Sequence, residues 1–412
     1  MVRTVEEQWA DVAAAVRMLP SVELPLADAA GRTLAADVTA AVDIPVWENS
    51  AMDGFAVRYD DVVAAAADAP VSLRVVADVP AGSDLDPPLR PGEAARIMTG
   101  APVPAAADAI VPFEDTRGGL ADSLHTVAVL AAPSARGAHI RRRGEDATRG
   151  DVVLPAGVRL GSWQLAAAAA AGVSAVPATR APRVAVFSTG DELVAPGEPL
   201  RRGQIPESNA TLLAALVAEA DAEVVLRGVV RDDEDEFRAA LAAAAERGAD
   251  VVLTSGGVSA GAFEVVKNTL GDAADIRFSA VAMQPGKPQG FGVLPGGALF
   301  FGLPGNPVSV AVSFEVFVRP ALLRMQRRSH VHRPVLRVRA AAGWRTPSGR
   351  RQYVPVRLDR TDAAGWTTEP ATAGGSRSHL AGGLGRAEAF AVVPADVEKV
   401  EPGDTVEVML LT

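Results

Sequence analysis

The sequence predicts a multidomain α/β and β protein: a helical N-terminal and linker domain, an inserted small β-domain, a mostly parallel α/β domain and a C-terminal β-barrel-like domain. Three observations carry this. At 412 residues the chain is too long for one ordinary core. Residues 180–327 alternate buried-strand runs with helical stretches, which is how an α/β sheet reads. On both sides of that region, β-branched residues alternate with Gly and Pro turn signals, as short strands do.

In chain order, Thr4 and Glu7 form a capping box that opens an amphipathic helix. Acidic residues stand where a signal peptide needs an apolar run, so a cytoplasmic protein is expected. The helix-richer pieces 1–46 and 141–178 are expected to pack together as one discontinuous domain, interrupted by a β insert at 47–140. Within the insert, Val71 to Val129 is punctuated by "PAGSD" and "RPGE". The α/β domain spans 179–327, with strands in "RVAVFS", "EVVLRGVV", "ADVVLTS" and "ALFFGL" and helices in "TLLAALVAEA" and "DEDEFRAALAAAAERG". Its last helix runs from Pro307 to Gln326. "RRSHVHRP" then links to a C-terminal β-domain, 333–412, with strands in "VLRVRA", "QYVPVRL", "AFAVVP" and "TVEVMLL".

Composition narrows the function classes. The chain has no cysteine, so disulfides and thiolate metal sites are excluded and a metal must be held by oxygen or by one of five histidines. The most apolar stretch, "LAAAAAAGVSAV" from Leu165, is shorter than the roughly 20 residues of a membrane span. A net charge of −10, with no basic run longer than "RRR" at 141–143, argues against nucleic acid as a partner.

Chemistry concentrates at "VVLTSGGVSAG", residues 251–261, a loop at the carboxyl end of a strand, where open α/β sheets bind ligands. Gly256, Gly257 and Gly261 let backbone N–H groups approach an anion, and Thr254, Ser255 and Ser259 add hydroxyls, so the loop can cradle a phosphate. The plain alternative is a tight turn that needs positive φ. "GVSAG" also fits the nucleophile elbow of serine hydrolases, with His379 as the histidine that would have to follow. A second cluster, "MQPGKPQGFG", presents Gly286 and Lys287 on a stiff turn; "FFGLPGNPVSV" presents Pro304, Gly305 and Asn306 ahead of a helix N-terminus. Carboxylates adjoin turns at Asp53, Glu145 and Asp146, Asp191 and Glu192, and Asp232 and Asp233. A few acids facing an anion cradle suit Mg²⁺, which takes oxygen ligands and bridges to substrate phosphates. "DDEDE" reads more simply as the exposed first turn of a helix.

In order, "NSAMDGFAVR", "RIMTGAPVPAAADAIVPFE", "RRRGED", "FSTGDEL", "TSGGVSAG", "PGKP" and "GLPGNPVS" resemble the molybdopterin molybdenumtransferase family, whose relatives include the C-terminal domain of the scaffold protein gephyrin. The resemblance spans nearly the whole chain. It implies an elongated homodimer with a molybdopterin-binding-like α/β domain, which inserts molybdate into adenylylated molybdopterin with Mg²⁺ and releases AMP. Carried over residue by residue, the family's site residues are Asp53, Thr99, Asp146, Glu192, Asp232 and Ser378. Glu192 with Asp191 and Asp232 would hold the metal, and Thr254 to Gly261, "PGKP" and "PGNP" the pterin's phosphorylated end. The acids near residues 53 and 146 would face the α/β domain of the other subunit.

Departures from the family pattern are specific. Glu264 stands where an acid, usually Asp, follows the glycine loop; Ala280 and Gln284 stand where lysines precede "PGKP"; Pro355 stands where an arginine follows an aromatic residue. Three cations are thereby lost, and Arg350, Arg351 or Arg357 could stand in for them. Their loss gives a second reading, a gephyrin-like scaffold that binds a peptide segment of a partner protein, for instance in cell division.

Overall fold

A computed structural model describes residues 2–119, 124–258, 265–271, 275–361, 365–372 and 378–411. The capping box at the N-terminus is formed: the Thr4 hydroxyl accepts from the Glu7 N–H, and the Glu7 carboxylate accepts from the Thr4 N–H. The helix Val5–Ala15 that follows buries Val5, Gln8 and Val12. Its apolar stripe is too narrow to form a core alone and joins that of the α/β domain, beside Val186, Leu253 and Phe301. Val2–Arg3 pairs in parallel with Ile276–Val281 and covers that sheet edge. The first helix thus packs with the α/β sheet, not with 141–178 as the sequence suggested.

What does pair across the insert is mostly strand. Ser21–Pro25 and Thr33–Leu34 lie antiparallel to Ala175–Thr179, and Val38–Thr39 lies against Val152–Leu154. The Ala-rich stretch forms a single helix, Ser162–Ala170, whose Ala168 packs with Leu34, Leu160 and Val176.

Between these pieces sits the inserted sheet, in the order Thr126–Val129, Val71–Val79, Glu93–Ile97, Gly54–Val57, Ala109–Pro112. Successive side chains alternate faces. Phe55 and Val57 therefore join one apolar cluster and Ala56 another, with Ile97 and Ile110.

The α/β domain has a sheet of seven strands, ordered Val2–Arg3, Ile276–Val281, Pro288–Val293, Leu299–Leu303, Val251–Ser255, Arg183–Thr189, Glu223–Val230. Its last four strands are mutually parallel, whereas Pro288–Val293 is antiparallel to both neighbours. Val251–Ser255 and Leu299–Leu303 are buried at every residue, because helices cover both faces. Asn209–Glu219 covers one face through Leu213 and Val217; Glu234–Glu246 covers the other through Phe237 and Ala244. Asp233 caps the second helix by accepting from the Glu236 N–H, so "DDEDE" does lie in a first turn.

The helix from Pro307 is interrupted by a π turn at Phe314–Val318 before it resumes as Arg319–Met325. Pro320 accounts for this: it has no N–H to donate and its ring would strike the carbonyl four residues back, and the wider turn relieves both.

Strands Val335–Ala340, Arg351–Asp359, Thr367–Pro370, Ala389–Val393 and Thr405–Leu410 pair in a closed circuit around Val338, Val354, Val356 and Val408. Met283–Gln284, from the α/β domain, pairs in parallel with Arg351–Gln352 of this barrel. That join brings the barrel to the carboxyl ends of the parallel strands. No described helix is long and apolar enough to cross a membrane.

Candidate active site

Three parallel strands, Arg183–Thr189, Val251–Ser255 and Leu299–Leu303, end side by side and send out the loops that carry Glu192, Gly256–Gly257 and Pro304–Asn306. A cleft of about 700 Å³ opens over them, and Lys287, Arg350, Ser378 and His379 complete its walls. Gly256 and Gly257 are required by geometry. Gly256 has φ 98°, and a Cβ there would lie 2.7 Å from Thr189 Oγ1 and 2.8 Å from the Thr189 carbonyl oxygen. At Gly257, φ is 66° and a Cβ would meet Val266 Cγ2 at 2.8 Å. The glycines thus let this turn pack directly on Thr189 and Val266, and the Gly256 N–H donates to the Leu303 carbonyl at 3.0 Å.

Strand alternation separates the two hydroxyls before the glycines. Ser255 lines a smaller adjoining pocket of about 330 Å³, its Oγ 3.2 Å from Ser188 Oγ. Thr254 is fully buried, lines neither space, and its hydroxyl has no hydrogen-bond partner among the described residues. Ser259, Gly261 and Glu264 lie outside the described residues. On the opposite wall, Gly286 and Lys287 sit on a turn held from behind by Gln289, whose Nε2 donates to the Gly286 carbonyl at 2.7 Å and to Ser313 Oγ at 2.7 Å. Pro304, Gly305 and Asn306 face them. The Val308 N–H, in the first turn of the helix that follows Asn306, donates to the Ser378 carbonyl at 3.2 Å. Ser378 Oγ also accepts from Asn306 Nδ2 at 3.1 Å, so this serine fastens the C-terminal domain to the start of the helix.

Lys287 and Arg350 are the lysine and arginine among the described lining residues. Arg350 Nη1 lies 3.4 Å from Gln284 Oε1, so a guanidinium stands beside a position where the family pattern has lysine. Arg351 is engaged with Glu6 at 2.6 Å and Arg357 with Glu369. Glu192 lines both the cleft and the smaller pocket, and Asp232 lines the pocket. Asp191 Oδ1 accepts from the Asp232 N–H at 3.3 Å. Among the described residues no three His, Asp or Glu gather into a ready-made metal cage. An oxygen-only pair beside an anion cradle fits Mg²⁺, which keeps several waters and is shared with substrate phosphates.

The sequence matches the MoeA N-terminal region (domains I and II) over residues 3–172, a probable molybdopterin-binding domain over 185–324 and the MoeA C-terminal region (domain IV) over 337–411. It is 43% identical to molybdopterin molybdenumtransferase 2 of Mycobacterium tuberculosis, over 100% of both chains. The chain belongs to the molybdopterin molybdenumtransferase family. It is also 38% identical to the molybdopterin molybdenumtransferase of a Nostoc species, over 92% of this chain and 86% of that one. Among solved structures, a molybdopterin biosynthesis MoeA protein from Pyrococcus horikoshii superposes with a TM-score of 0.80 at 32% identity, covering 100% of each chain. Family membership gives the serine hydrolase and scaffold readings no support.

Three of the residues carried over from the molybdenumtransferase pattern stand apart from the cleft within one chain. Asp53 Oδ1 accepts from the Thr99 N–H at 2.6 Å and from Thr99 Oγ1 at 2.7 Å, one residue just before and the other just after strands of the inserted sheet. These two donors, the backbone one first, hold the Asp53 carboxyl below its usual range. The Asp146 N–H donates to the Ile44 carbonyl at 3.0 Å, and its loop lines neither space. Ala280 lies mid-strand between Val2 and Pro288, and Pro355 pairs with Phe390 in the barrel, so neither is a cleft wall.

Sequence reasoning missed several residues that the fold brings in, among them Ser309, Asn209 and Glu207. Glu207 is 3% exposed, accepting from the Ala210 N–H at 2.6 Å and from Ser188 Oγ at 2.8 Å, and so fixes a strand end beneath the pocket. Its only signal was a carboxylate directly ahead of a helix.

Proposed function

We propose that this protein inserts molybdate into adenylylated molybdopterin and releases AMP, with the cleft over the three strand ends as its active site. One observation carries the reading: the Gly256–Gly257 turn, the cations Lys287 and Arg350, and the carboxylate Glu192 all line one cleft, in a chain of this family. Both substrates are polyanions. Two cations held beside the glycine turn stabilise the charge that develops on the departing AMP, with little reorganisation during the step. Lys287, on its braced turn, and Arg350 bind and orient these groups. When bound, Mg²⁺ would neutralise charge on the phosphoanhydride, and Glu192 with Asp232 would hold it. The family pattern's lost lysine is offset by Arg350, since each charge-assisted contact contributes about 1.5–3 kcal/mol.

Asp53, Thr99 and Asp146 support a homodimer in which the inserted domain of one copy closes the cleft of the other, because within a single chain none of them lines it. A cysteine-free enzyme working on a dithiolene compound suits the reducing cytoplasm. The deciding experiment is AMP release from adenylylated molybdopterin with molybdate, wild type against Glu192→Gln. Release that depends on molybdate and is abolished in the variant is expected; unchanged release by Glu192→Gln removes that residue from the site.

A further inference from the structure

We infer that Gln289, which lies behind the cleft wall, is a positioning residue: it ties the Lys287 turn to the helix behind the facing wall and so sets where the lysine meets its ligand. The inference rests on reading the cleft as the site that holds adenylylated molybdopterin. Lys287 is exposed, and a solvated ammonium on a flexible stem contributes little to an anion site unless its backbone is held. Its turn is held at three points. Pro288 confines Lys287 to an extended backbone, and the Lys287 carbonyl accepts from the Val281 N–H at 2.7 Å. The third point is the Gly286 carbonyl, which accepts from Gln289 Nε2 at 2.7 Å.

The same nitrogen also donates to Ser313 Oγ at 2.7 Å. Ser313 ends the helix Pro307–Ser313, which follows Asn306 and carries Ser309, two residues that line the cleft. One amide therefore joins the lysine's turn to the element that positions the facing wall. A carbonyl oxygen can only accept, which places Nε2 and not Oε1 at Gly286. Gln289 is 3% exposed and Ser313 is fully buried, so both bonds lie away from solvent. Gly286 adds a second sign of close fit. It has φ 106°, and a Cβ there would lie 3.1 Å from Ser313 Oγ, so the turn sits directly on the helix end. Neither Gln289 nor Ser313 lines the cleft, so any effect of theirs on a ligand passes through the walls they join.

Isothermal titration with adenylylated molybdopterin compares the full-length wild type with Lys287→Ala, Gln289→Met and the double variant. Lys287→Ala is expected to bind about 10- to 100-fold more weakly, through loss of a charge-assisted contact. Gln289→Met keeps the length of the side chain and removes the donor. It is expected to bind about three- to tenfold more weakly, because a displaced lysine loses part of its contact. Added to Lys287→Ala it should cost nothing further, since a residue that acts through another has no effect once the other is gone. Wild-type affinity in Gln289→Met or in Lys287→Ala overturns the positioning role, and so does the same factor lost with and without Lys287, as a general loosening of the fold would give. Ser313→Ala cuts the tie from the other end and should show the same dependence on Lys287. It carries the test alone if Gln289→Met does not fold; wild-type affinity in Ser313→Ala overturns the tie between the walls. Failure of the wild type to bind the compound sinks the functional reading, while binding with losses independent of Lys287 sinks the positioning role alone.

Discussion

Arg350 shows how a single side chain changes the electrostatic account. The sequence offers Arg350, Arg351 and Arg357 equally as replacements for lost cations, but only the first lines the cleft, while the other two face Glu6 and Glu369. Arg350→Ala is therefore expected to weaken nucleotide binding by about 10- to 100-fold, from the roughly 1.5–3 kcal/mol of a charge-assisted contact. Arg357→Ala should bind as the wild type does. Equilibrium titration of both variants checks this; equal losses would mean that Arg350 has no special place. Gly256 makes a second residue-scale case. Because an alanine there combines a φ of 98° with contacts of 2.7 and 2.8 Å to Thr189, Gly256→Ala is expected to cost about 1–3 kcal/mol. A lower urea midpoint at unchanged slope would report it.

Elements meet the site through their ends. Asp53 ties the turn before Gly54–Val57 to the end of Glu93–Ile97 through its two bonds from Thr99. Because those bonds favour the carboxylate, its folded pKa lies below the unfolded value near 3.9. The stabilisation is thus fully present above about pH 4 and is lost as pH falls through the lower, folded value. Thr99→Val removes the hydroxyl but keeps the N–H, and is expected to raise the Asp53 pKa part of the way back; carboxyl chemical shifts across an acid titration measure it. The helix from Pro307 teaches a related lesson. Its starting N–H looks like an anion site in the sequence, but the Ser378 carbonyl occupies it at 3.2 Å, which a linear reading has no means to foresee.

At the scale of the whole molecule, domains are pinned by charge as well as by apolar contact. Asp221 accepts two bonds from Arg159, at 2.8 and 2.9 Å, and a further one from Arg328, joining the N-terminal domain, the α/β domain and the linker. Asp221 has φ 54°, a conformation that Asn also tolerates, so Asp221→Asn removes charge with little backbone strain. A loss of about 3 kcal/mol is expected, since breaking one partner of a partly buried network leaves two guanidinium groups uncompensated. Thermal unfolding of the variant tests it. The proposed dimer makes a separate demand. Asp53→Asn and Glu192→Gln, each inactive alone, should regain AMP release when unfolded together and refolded as a mixture, because one mixed site would then be intact; no recovery would count against a shared site.

The sequence by itself determined the family, the capping box at Thr4 and the buried strand runs of the α/β region. Those features are local: a capping box or a buried strand run is dictated by neighbours a few residues away. Tertiary structure alone decided that the first helix joins the α/β sheet, that Arg350 and not Arg351 lines the cleft, and that Thr254 turns inward. Each depends on which distant strand ends meet, and one residue of register moves a side chain from one face to the other.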